Sequence, residues 1–169
     1  VGYSTKKMAK LAKGDSFADF VGPLGRPSDF LNEDLADLKE QKILFVAGGV
    51  GIAPVCPQVQ WFYEHNIAVD VIMGAKTKDL IILAEKIKKL AQNLYICTDD
   101  GSHGFKGLVT DKMLDLLEKQ GKHYDRVIAI GPMIMMKYVS ELTKKANIPT
   151  TVSLNTIMVD GTGMCGACR

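Results

Sequence analysis

The sequence predicts an α/β fold with a doubly wound, mainly parallel sheet of five strands. From residue 43 onward, short apolar runs alternate with amphipathic segments of helical length. Some of these runs end in glycine, as "KILFVAGG" does, which is typical of a central parallel strand that leads into a helix. The chain has 169 residues, 47% of them hydrophobic, so it can bury the core of one medium domain.

The elements follow one another in a regular order. The chain opens with a helical patch at residues 6–12 and the strand-like "DSFADFVGPLG", and the turn signals of "GPLGRPSD" mark the best domain boundary. "FLNEDLADLKEQ" predicts a helical connector. The five strands are "KILFVAGG", "AVDVIMGA", "NLYICTDDG", "DRVIAIGP" and "PTTVSLNT". The helices between them are "IAPVCPQVQWFYEHN", whose Pro57 predicts a late start, "KDLIILAEKIKKLAQ", "LVTDKMLDLLEKQ" and "MIMMKYVSELTKKAN".

Composition argues against several classes of protein. The net charge is only +2, and no basic stripe is interleaved with aromatic residues, so nucleic acid is not expected as a partner. No apolar run approaches the roughly 18 residues of a membrane span, and the start lacks the apolar core of a signal peptide. Four cysteines are too few for a secreted disulfide scaffold. We therefore expect a cytoplasmic protein without a membrane span.

The first strand ends in "GGVGIAP", residues 48–54. Gly48, Gly49 and Gly51 permit a tight turn and a close approach of the backbone to a ligand, and the following helix directs its free N–H groups there. This arrangement suits a pyrophosphate. The spacing differs from G-x-G-x-x-G, so an ordinary glycine-rich turn is the alternative.

Two other strand ends carry candidate ligand contacts. After the third strand, Thr98, Asp99 and Asp100 can bond ribose hydroxyls, although Asp100 also suits an Asx turn. After the second strand, Lys76 and Lys78 stand where a ribose 2′-phosphate would be met, or form an ordinary solvated turn.

The fourth strand ends in Gly131 and Pro132, followed by Met133, Met135 and Met136, which offer apolar contact but are also typical of a helix core. Because ligands bind at the carboxyl ends of such strands, these ends together predict a dinucleotide cleft.

The last residues form another pattern, in which Asp160, Cys165 and Cys168 are spaced Asp-x₄-Cys-x₂-Cys. A plant-type iron–sulfur site has Cys-x₄-Cys-x₂-Cys and a distant fourth cysteine. A structural zinc site and a redox-active disulfide are the alternatives. No residue pattern indicates a catalytic acid, base or nucleophile.

The motifs "VGYST", "GPLGRP", "GGVGIAP", "TDDGSHGFKG", "IGPMIMM" and "DGTGMCGAC", in this order, resemble the ferredoxin–NADP⁺ reductase superfamily. Within it, the chain is most similar to electron-transfer subunits related to the small subunit of NADH-dependent ferredoxin:NADP⁺ oxidoreductase, also called sulfide dehydrogenase. The electron-transfer subunit of dihydroorotate dehydrogenase is a near relative.

The resemblance implies three modules. Residues 1–25 are the remnant of an FAD-binding barrel, residues 26–155 the NAD(P)-binding domain, and residues 156–169 the start of a [2Fe–2S] module. It also implies the cofactor contacts. The contacts implied for the FAD pyrophosphate are Gly2, Ser4 and Thr5. Those implied for the NAD(P)H pyrophosphate are Gly48, Gly49, Val50, Gly51, Ile52 and Pro54, and those implied beside the nicotinamide are Gly131, Pro132, Met133 and Met136. The ligands implied for the cluster are Asp160, Cys165, Cys168 and one further cysteine.

The activity implied is that of an NAD(P)H-dependent flavoprotein oxidoreductase, which passes hydride to FAD and electrons on to a [2Fe–2S] cluster. The partner would be a larger flavoprotein or iron–sulfur subunit, with ferredoxin as a further partner. A dihydroorotate dehydrogenase or hydrogenase-type subunit, a non-redox nucleotide-binding module and a zinc-stapled interaction domain are the alternatives. Both ends look cut, so we expect the chain alone to bind nucleotide without turnover, and its tail to be disordered or misplaced.

Overall fold

A computed structural model describes residues 2–154 and 156–168 of the chain. These residues divide into two compact units. The larger unit spans Asp29–Asn155, and the smaller combines Val1–Ser28 with Thr156–Arg169. The larger unit contains the sheet.

The larger unit is built on a parallel sheet. Its strands are β1 (Ile43–Gly48), β2 (Val69–Ala75), β3 (Asn93–Thr98), β4 (Phe105–Lys106), β5 (Arg126–Ile130) and β6 (Thr150–Val152). Their order in the sheet is β4-β3-β2-β1-β5-β6, and every one of these pairings is parallel. The predicted α/β class is confirmed. The additional strand, β4, lies inside "GSHGFKG", where two residues are too few to show a strand pattern.

The helices of the larger unit are α2 (Leu35–Glu40), α3 (Ile52–Glu64), α4 (Ala84–Leu90), α5 (Val109–Leu114) and α6 (Met133–Lys145), and α5 continues as a π-helical turn, Asp115–Lys119. The smaller unit contains α1 (Tyr3–Met8). None of the helices in the described ranges has the length and hydrophobicity that a bilayer crossing requires.

The core occupies both faces of the sheet because side chains alternate along each strand. On one face Phe45 of β1 packs in a cluster with Val59 and Phe62 of α3. On the other face Val46 packs in a cluster with residues of α5 and α6, including Val139. This double coverage explains why β1 is buried at every position and appears in the sequence as an unbroken apolar run.

Two helix predictions were wrong at their starts. The helix around Pro57 does not start late, because α3 begins at Ile52 and Pro57 lies inside it. The buried side chains of Val55, Val59 and Phe62 hold this helix against the sheet despite the hydrogen bond that proline removes. Conversely, α4 begins only at Ala84, after a 3₁₀ turn and a residue with a left-handed backbone.

The strand predicted in "DSFADFVGPLG" was also wrong. Apart from an isolated bridge between Lys13 and Asp15, the described residues of this segment have no strand pairing. A strand is stable only when a neighbouring edge accepts and donates its backbone hydrogen bonds, and this segment has no such neighbour within the described residues.

A polar network closes the amino-terminal edge of the sheet. The buried carboxylate of Asp70 accepts hydrogen bonds from Asn93 Nδ2 at 2.7 Å, Lys122 Nζ at 2.9 Å and the Tyr124 hydroxyl at 2.7 Å. Lys122 Nζ also donates to the hydroxyl of Tyr95 at 2.6 Å. Because each buried polar group has a partner, the network ties the starts of β2, β3 and β5 together.

A second ion pair joins the segment before α2 to β5. Arg126 donates two hydrogen bonds to the carboxylate of Glu33, at 2.7 and 2.8 Å. This bidentate geometry is the strong form of an arginine–carboxylate contact.

Candidate functional site

The site lies where the direction of the strand order changes, between the carboxyl ends of β1 and β5. From β1 the chain passes through α3 to β2 on one side of β1, whereas β5 lies on the other side. In doubly wound sheets a crevice forms at this point, and ligands bind in it. Two loops line the crevice, residues 49–51 between β1 and α3, and residues 131–132 between β5 and α6.

Glycine is required in both loops because their backbones are in contact. A Cβ added to Gly51 would collide with the carbonyl oxygen of Ile130 and lie 3.0 Å from Cα of Gly131. A Cβ on Gly131 would lie 3.0 Å from the backbone nitrogen of Gly48, and one on Gly48 would lie 2.5 Å from Sδ of Met135. The predicted glycines therefore allow the starts of α3 and α6 to lie side by side.

Gly49 has a different environment. Its φ is +55°, a left-handed conformation that favours glycine. The residue is exposed, and an added Cβ would meet nothing within 4 Å. Gly49 therefore borders open space at the amino-terminal end of α3.

The electrostatics of this space suit an anion. The first-turn N–H groups of a helix have no acceptor within the helix, and they carry the positive end of its dipole. At α3 the Ile52 N–H already donates to the carbonyl of Gly49, and Pro54 has no N–H, so the remaining N–H groups of the turn and the dipole face this space. Neither α3 nor α6 has an acidic residue in its first turn, so no carboxylate there offsets these dipoles. A pyrophosphate fits this position in both charge and hydrogen-bonding chemistry.

Exposed apolar side chains flank the same loops. Val50 is 80% exposed, Met133 70% and Ile134 59%. Apolar contacts next to a few polar backbone groups are the usual surroundings of a bound ring system. The crevice can therefore hold the charged and the planar parts of a dinucleotide.

Three predicted contacts lie in the interior instead. Ile52 is 1% exposed and Met136 4%, and both belong to the hydrophobic core. Thr98 is fully buried, and its hydroxyl donates to the carbonyl of His103 at 2.7 Å and accepts from His103 N at 3.0 Å. These three residues stabilise the fold around the crevice, so we leave their side chains out of the proposed contact set.

Most of the other predicted contacts are accessible. The exposed ones are Gly49, Val50, Pro54, Asp99, Asp100, Pro132 and Met133; Gly131 is half-buried, and Gly48 and Gly51 are buried in the loop contact. Gly2, Ser4 and Thr5 are exposed in the smaller unit.

The loop after β3 is held by its own side chains. Asp100 Oδ1 accepts from Ser102 N at 2.9 Å and from the Ser102 hydroxyl at 2.6 Å, and this hydroxyl in particular lowers the pKa of Asp100. The Ser102 hydroxyl also accepts from Lys78 N at 2.8 Å, which ties the loop to the turn after β2. The Asx turn considered for Asp100 is present, whereas the Asp99 side chain has no hydrogen bond to any residue that the structure describes.

One residue of this region, Ser102, was not predicted, and Met135 was named only as one of three methionines that offer apolar contact. Ser102 orders the loop, and its position two residues after an aspartate is the sequence signal for an Asx turn. Met135 places its thioether against the positions of Gly48 and Gly131. No sequence signal distinguishes it from the neighbouring methionines, because the contact depends on how α6 meets β1.

The smaller unit contains the predicted flavin and cluster residues. Gly2 precedes α1 in an extended conformation, and no side chain caps the start of that helix. In the tail, Asp160 accepts from Thr162 N at 2.9 Å, a bond that lowers the pKa of Asp160, and the Cys165 thiol contributes to the same shift. Among residues 2–154 and 156–168, no three metal-ligating side chains are arranged to hold a metal, so the ligand role of Asp160, Cys165 and Cys168 stays a prediction.

Fold and crevice together define a nucleotide-binding domain of the ferredoxin reductase type. The chain belongs to the oxidoreductase NAD-binding domain family, whose model matches residues 45–141. The matched region runs from β1 into α6 and includes both loops of the crevice. The resemblance to ferredoxin reductases is thereby confirmed.

Among the individual relatives, those whose names state a role are electron-transfer proteins. The chain is 62% identical over its full length to the "uncharacterized protein in adh 3′ region" of Clostridium beijerinckii, covering 57% of that protein. It is 43% identical over its full length to a Thermotoga maritima homologue of the electron transfer subunit of dihydroorotate dehydrogenase B (NAD(+)), covering 56% of it.

A solved structure of NADH-dependent reduced ferredoxin-NADP oxidoreductase gives the structural comparison. One of its chains superposes with a TM-score of 0.81 at 40% identity, with 100% of this chain and 58% of that chain covered. The chain thus spans a little over half the length of these relatives.

Proposed function

We propose that the chain is the NAD(P)H-binding part of a flavin and iron–sulfur electron-transfer subunit. The observation that carries the proposal is the contact between the β1–α3 and β5–α6 loops, which only glycine permits at Gly51. This contact leaves the starts of two helices facing one crevice. Gly49 and Val50 lie at its phosphate end, and Met133 is available to the nicotinamide ring.

The residues of the chain bind and orient the nucleotide rather than react with it. Backbone N–H groups at the start of α3 receive the pyrophosphate, and the exposed carboxylate of Asp99 is available to a ribose hydroxyl. The apolar rim keeps water from one face of the nicotinamide. No side chain needs to exchange a proton, since hydride moves directly from the nicotinamide to its acceptor.

In the complete protein the acceptor would be FAD, with Gly2, Ser4 and Thr5 at its pyrophosphate. An uncapped helix start preceded by an extended glycine fits that role, because it leaves the first-turn N–H groups available. Bound there, FAD would supply the chemistry that converts a two-electron hydride transfer into the single-electron steps that a [2Fe–2S] cluster and a partner subunit require. The cluster would take two thiolates and a carboxylate from Cys165, Cys168 and Asp160, which suits ferric iron, together with a further cysteine.

Calorimetric titration with NADH and with NADPH tests the nucleotide site. Binding of at least one of them in the micromolar to low millimolar range supports the proposal. Absence of binding for both at millimolar concentration contradicts it. The same titrations decide whether the turn of Lys76 and Lys78 recognises a 2′-phosphate, because only then does NADPH bind more tightly.

The flavin and cluster roles need a separate readout. The complete protein is mixed with FAD, or treated with iron and sulfide under anaerobic conditions, and visible absorption is recorded after desalting. Retained flavin or cluster bands support the respective role, and loss of the cluster bands on Cys165→Ala assigns the ligand. A non-redox nucleotide-binding module would bind NADH and retain neither group.

A further inference from the structure

The side chain of Met135 lies against both strand ends that form the crevice. Met135 belongs to the first turn of α6. A Cβ on Gly48 would lie 2.5 Å from its sulfur, and a Cβ on Gly131 would lie 2.8 Å from its terminal methyl group and 3.0 Å from its sulfur. The thioether therefore occupies the space that the missing side chains of the two glycines leave free. One side chain thus links the end of β1 with the loop after β5.

This contact is tight and continues to the start of α3. Separations of 3.0 Å and below are shorter than an ordinary contact of a Cβ, so the thioether is packed directly against the backbone of both glycines. The backbone of Gly131 in turn lies against Gly51, whose own Cβ would be 3.0 Å from Cα of Gly131. Because closely packed groups transmit strain, a displacement of Met135 reaches the helix start that we assign to the pyrophosphate.

Met135 also differs from the other methionines in its exposure. Of the eight methionines in the chain, four are exposed and three are buried in the core, whereas Met135 is half-buried. The exposed ones are Met8, Met133, Met158 and Met164, and the buried ones are Met73, Met113 and Met136. Met135 therefore combines access from solvent with a contact to both strand ends of the crevice.

An accessible thioether reacts with hydrogen peroxide. The sulfur donates a lone pair to one peroxide oxygen, the O–O bond breaks, and the other oxygen leaves as water. The sulfur thereby loses two electrons, the peroxide gains two, and the product is a methionine sulfoxide. The sulfoxide is polar and larger than the apolar, flexible thioether. Its oxygen either displaces the glycine backbone or draws the side chain out toward water, and both outcomes break the contact.

We propose that Met135 is a regulatory oxidation site, at which conversion to the sulfoxide by hydrogen peroxide separates the two strand ends and weakens binding of NADH. The inference rests on the proposed function, because the crevice must bind the nucleotide for its distortion to matter. Peroxide forms when electrons that have left NADH reach oxygen through flavin or iron–sulfur centres. The modification would therefore slow the entry of further electrons. Methionine sulfoxide reductases return the sulfoxide to the thioether with electrons from thiols, so the effect is reversible.

The test measures the affinity for NADH before and after oxidation of the full chain. The chain is treated with hydrogen peroxide and then with dithiothreitol, which reduces oxidised thiols but not sulfoxides. Peptide mass spectrometry gives the sulfoxide fraction at each methionine, and calorimetric titration gives the affinity. Met135→Leu removes the reactive sulfur and keeps an apolar side chain of similar volume. Met133→Leu removes the other sulfur beside the crevice, and Met8→Leu removes an exposed sulfur of the smaller unit.

The proposal predicts that oxidation weakens NADH binding by the unaltered chain about tenfold, the effect of losing one charge-assisted hydrogen bond to the pyrophosphate. Methionine sulfoxide reductase should restore the affinity. Met133→Leu and Met8→Leu should lose affinity on oxidation by the same factor, whereas Met135→Leu should change less than about twofold. Met135→Gln, which places a polar group of similar length at the same position, should bind NADH more weakly before any oxidant is added.

Three results would overturn the proposal. One is an affinity that stays unchanged after Met135 is fully oxidised. Another is an equal loss of affinity on oxidation in Met135→Leu and the unaltered chain. The third is the absence of sulfoxide at Met135 under conditions that oxidise Met8. Failure of the unoxidised chain to bind NADH would instead refute the proposed function, and the inference together with it.

Discussion

Replacing Gly49 with alanine separates the nucleotide site from the fold. Gly49 and Gly121 form a matched pair: both are exposed, their φ angles are +55° and +62°, and an added Cβ would meet nothing within 4 Å at either position. Gly49 follows β1 at the carboxyl edge of the sheet, whereas Gly121 precedes β5 at the amino edge. Only one of the two methyl groups would therefore enter the proposed crevice.

The expected effect on stability is the same for both variants. Holding a residue with a Cβ in the left-handed region costs about 1–2 kcal/mol. Gly49→Ala and Gly121→Ala should each lower the free energy of unfolding by about that amount. The proteins should nevertheless remain folded, since neither methyl group displaces an atom of the protein.

The expected effect on binding differs. A methyl group on Gly49 keeps a pyrophosphate from the N–H groups at the start of α3, and each charge-assisted hydrogen bond lost is worth about 1.5–3 kcal/mol. Because 1.4 kcal/mol is tenfold in affinity, Gly49→Ala should weaken NADH binding at least tenfold, whereas Gly121→Ala should leave it unchanged.

On the same preparations, urea denaturation measures the free energy of unfolding and calorimetric titration measures the affinity for NADH. Unaltered NADH affinity in Gly49→Ala would refute the assignment of the phosphate position. An equal loss of affinity in both variants would show that the strain, and not the crevice, is responsible. Gly51→Ala is unsuitable for this purpose, because its Cβ would collide with the backbone of Ile130 and disturb the fold itself.

Three further predictions concern the rest of the molecule. Asp70→Ala should lower the free energy of unfolding by about 3 kcal/mol, since it leaves Lys122 without its carboxylate at the amino edge of the sheet; urea denaturation measures this. Cys165 should react with a thiol reagent at pH 8 in the native chain, whereas burial raises the pKa of Cys97 to about 12 and keeps it unreactive until unfolding. The hydrogen bond from Arg126 lowers the pKa of Glu33 below its ordinary 4.5. The ionised carboxylate therefore stabilises the fold fully above pH 4.5, and this contribution is lost as the pH falls through the lowered pKa. Glu33→Gln should therefore have a lower free energy of unfolding than the unaltered chain at pH 7, and the two free energies should converge in acid.

Each of these has a contradicting outcome. Unchanged stability of Asp70→Ala would mean that the network is not needed for the fold. Equal labelling rates of the two thiols would show that Cys97 is accessible. A stability difference for Glu33→Gln that stays constant down to pH 2 would show that the ion pair does not titrate as described.

The sheet was predictable because its central strands are buried on both faces. β1 and β5 therefore appear as unbroken apolar runs, and their terminal glycines identify the crevice. β4 could not be predicted, since two residues carry no periodicity. The start of α3 was misplaced because the hydrogen bond lost at Pro57 had to be weighed against burial of Val59 and Phe62, which becomes evident only when the helix meets the sheet.

The side chains around the crevice were less predictable than its backbone. Glycines can be identified from sequence because only they permit the close contact. The side chains of Thr98 and Met136 point into the interior because of strand alternation and of the rotation of α6 about its axis. A single sequence does not determine either of these closely. The same holds for the network around Asp70, whose partner Tyr124 is 54 residues away and shares no motif with it.

Backbone amide chemical shifts recorded during an NADH titration test the central claim most directly. The account predicts that the largest changes fall on Gly49, Gly51 and Gly131, at the carboxyl edge of the sheet. Gly121 and Lys122, at the amino edge, should be nearly unaffected. Changes concentrated at the amino edge, or no change at either edge at saturating NADH, would contradict it.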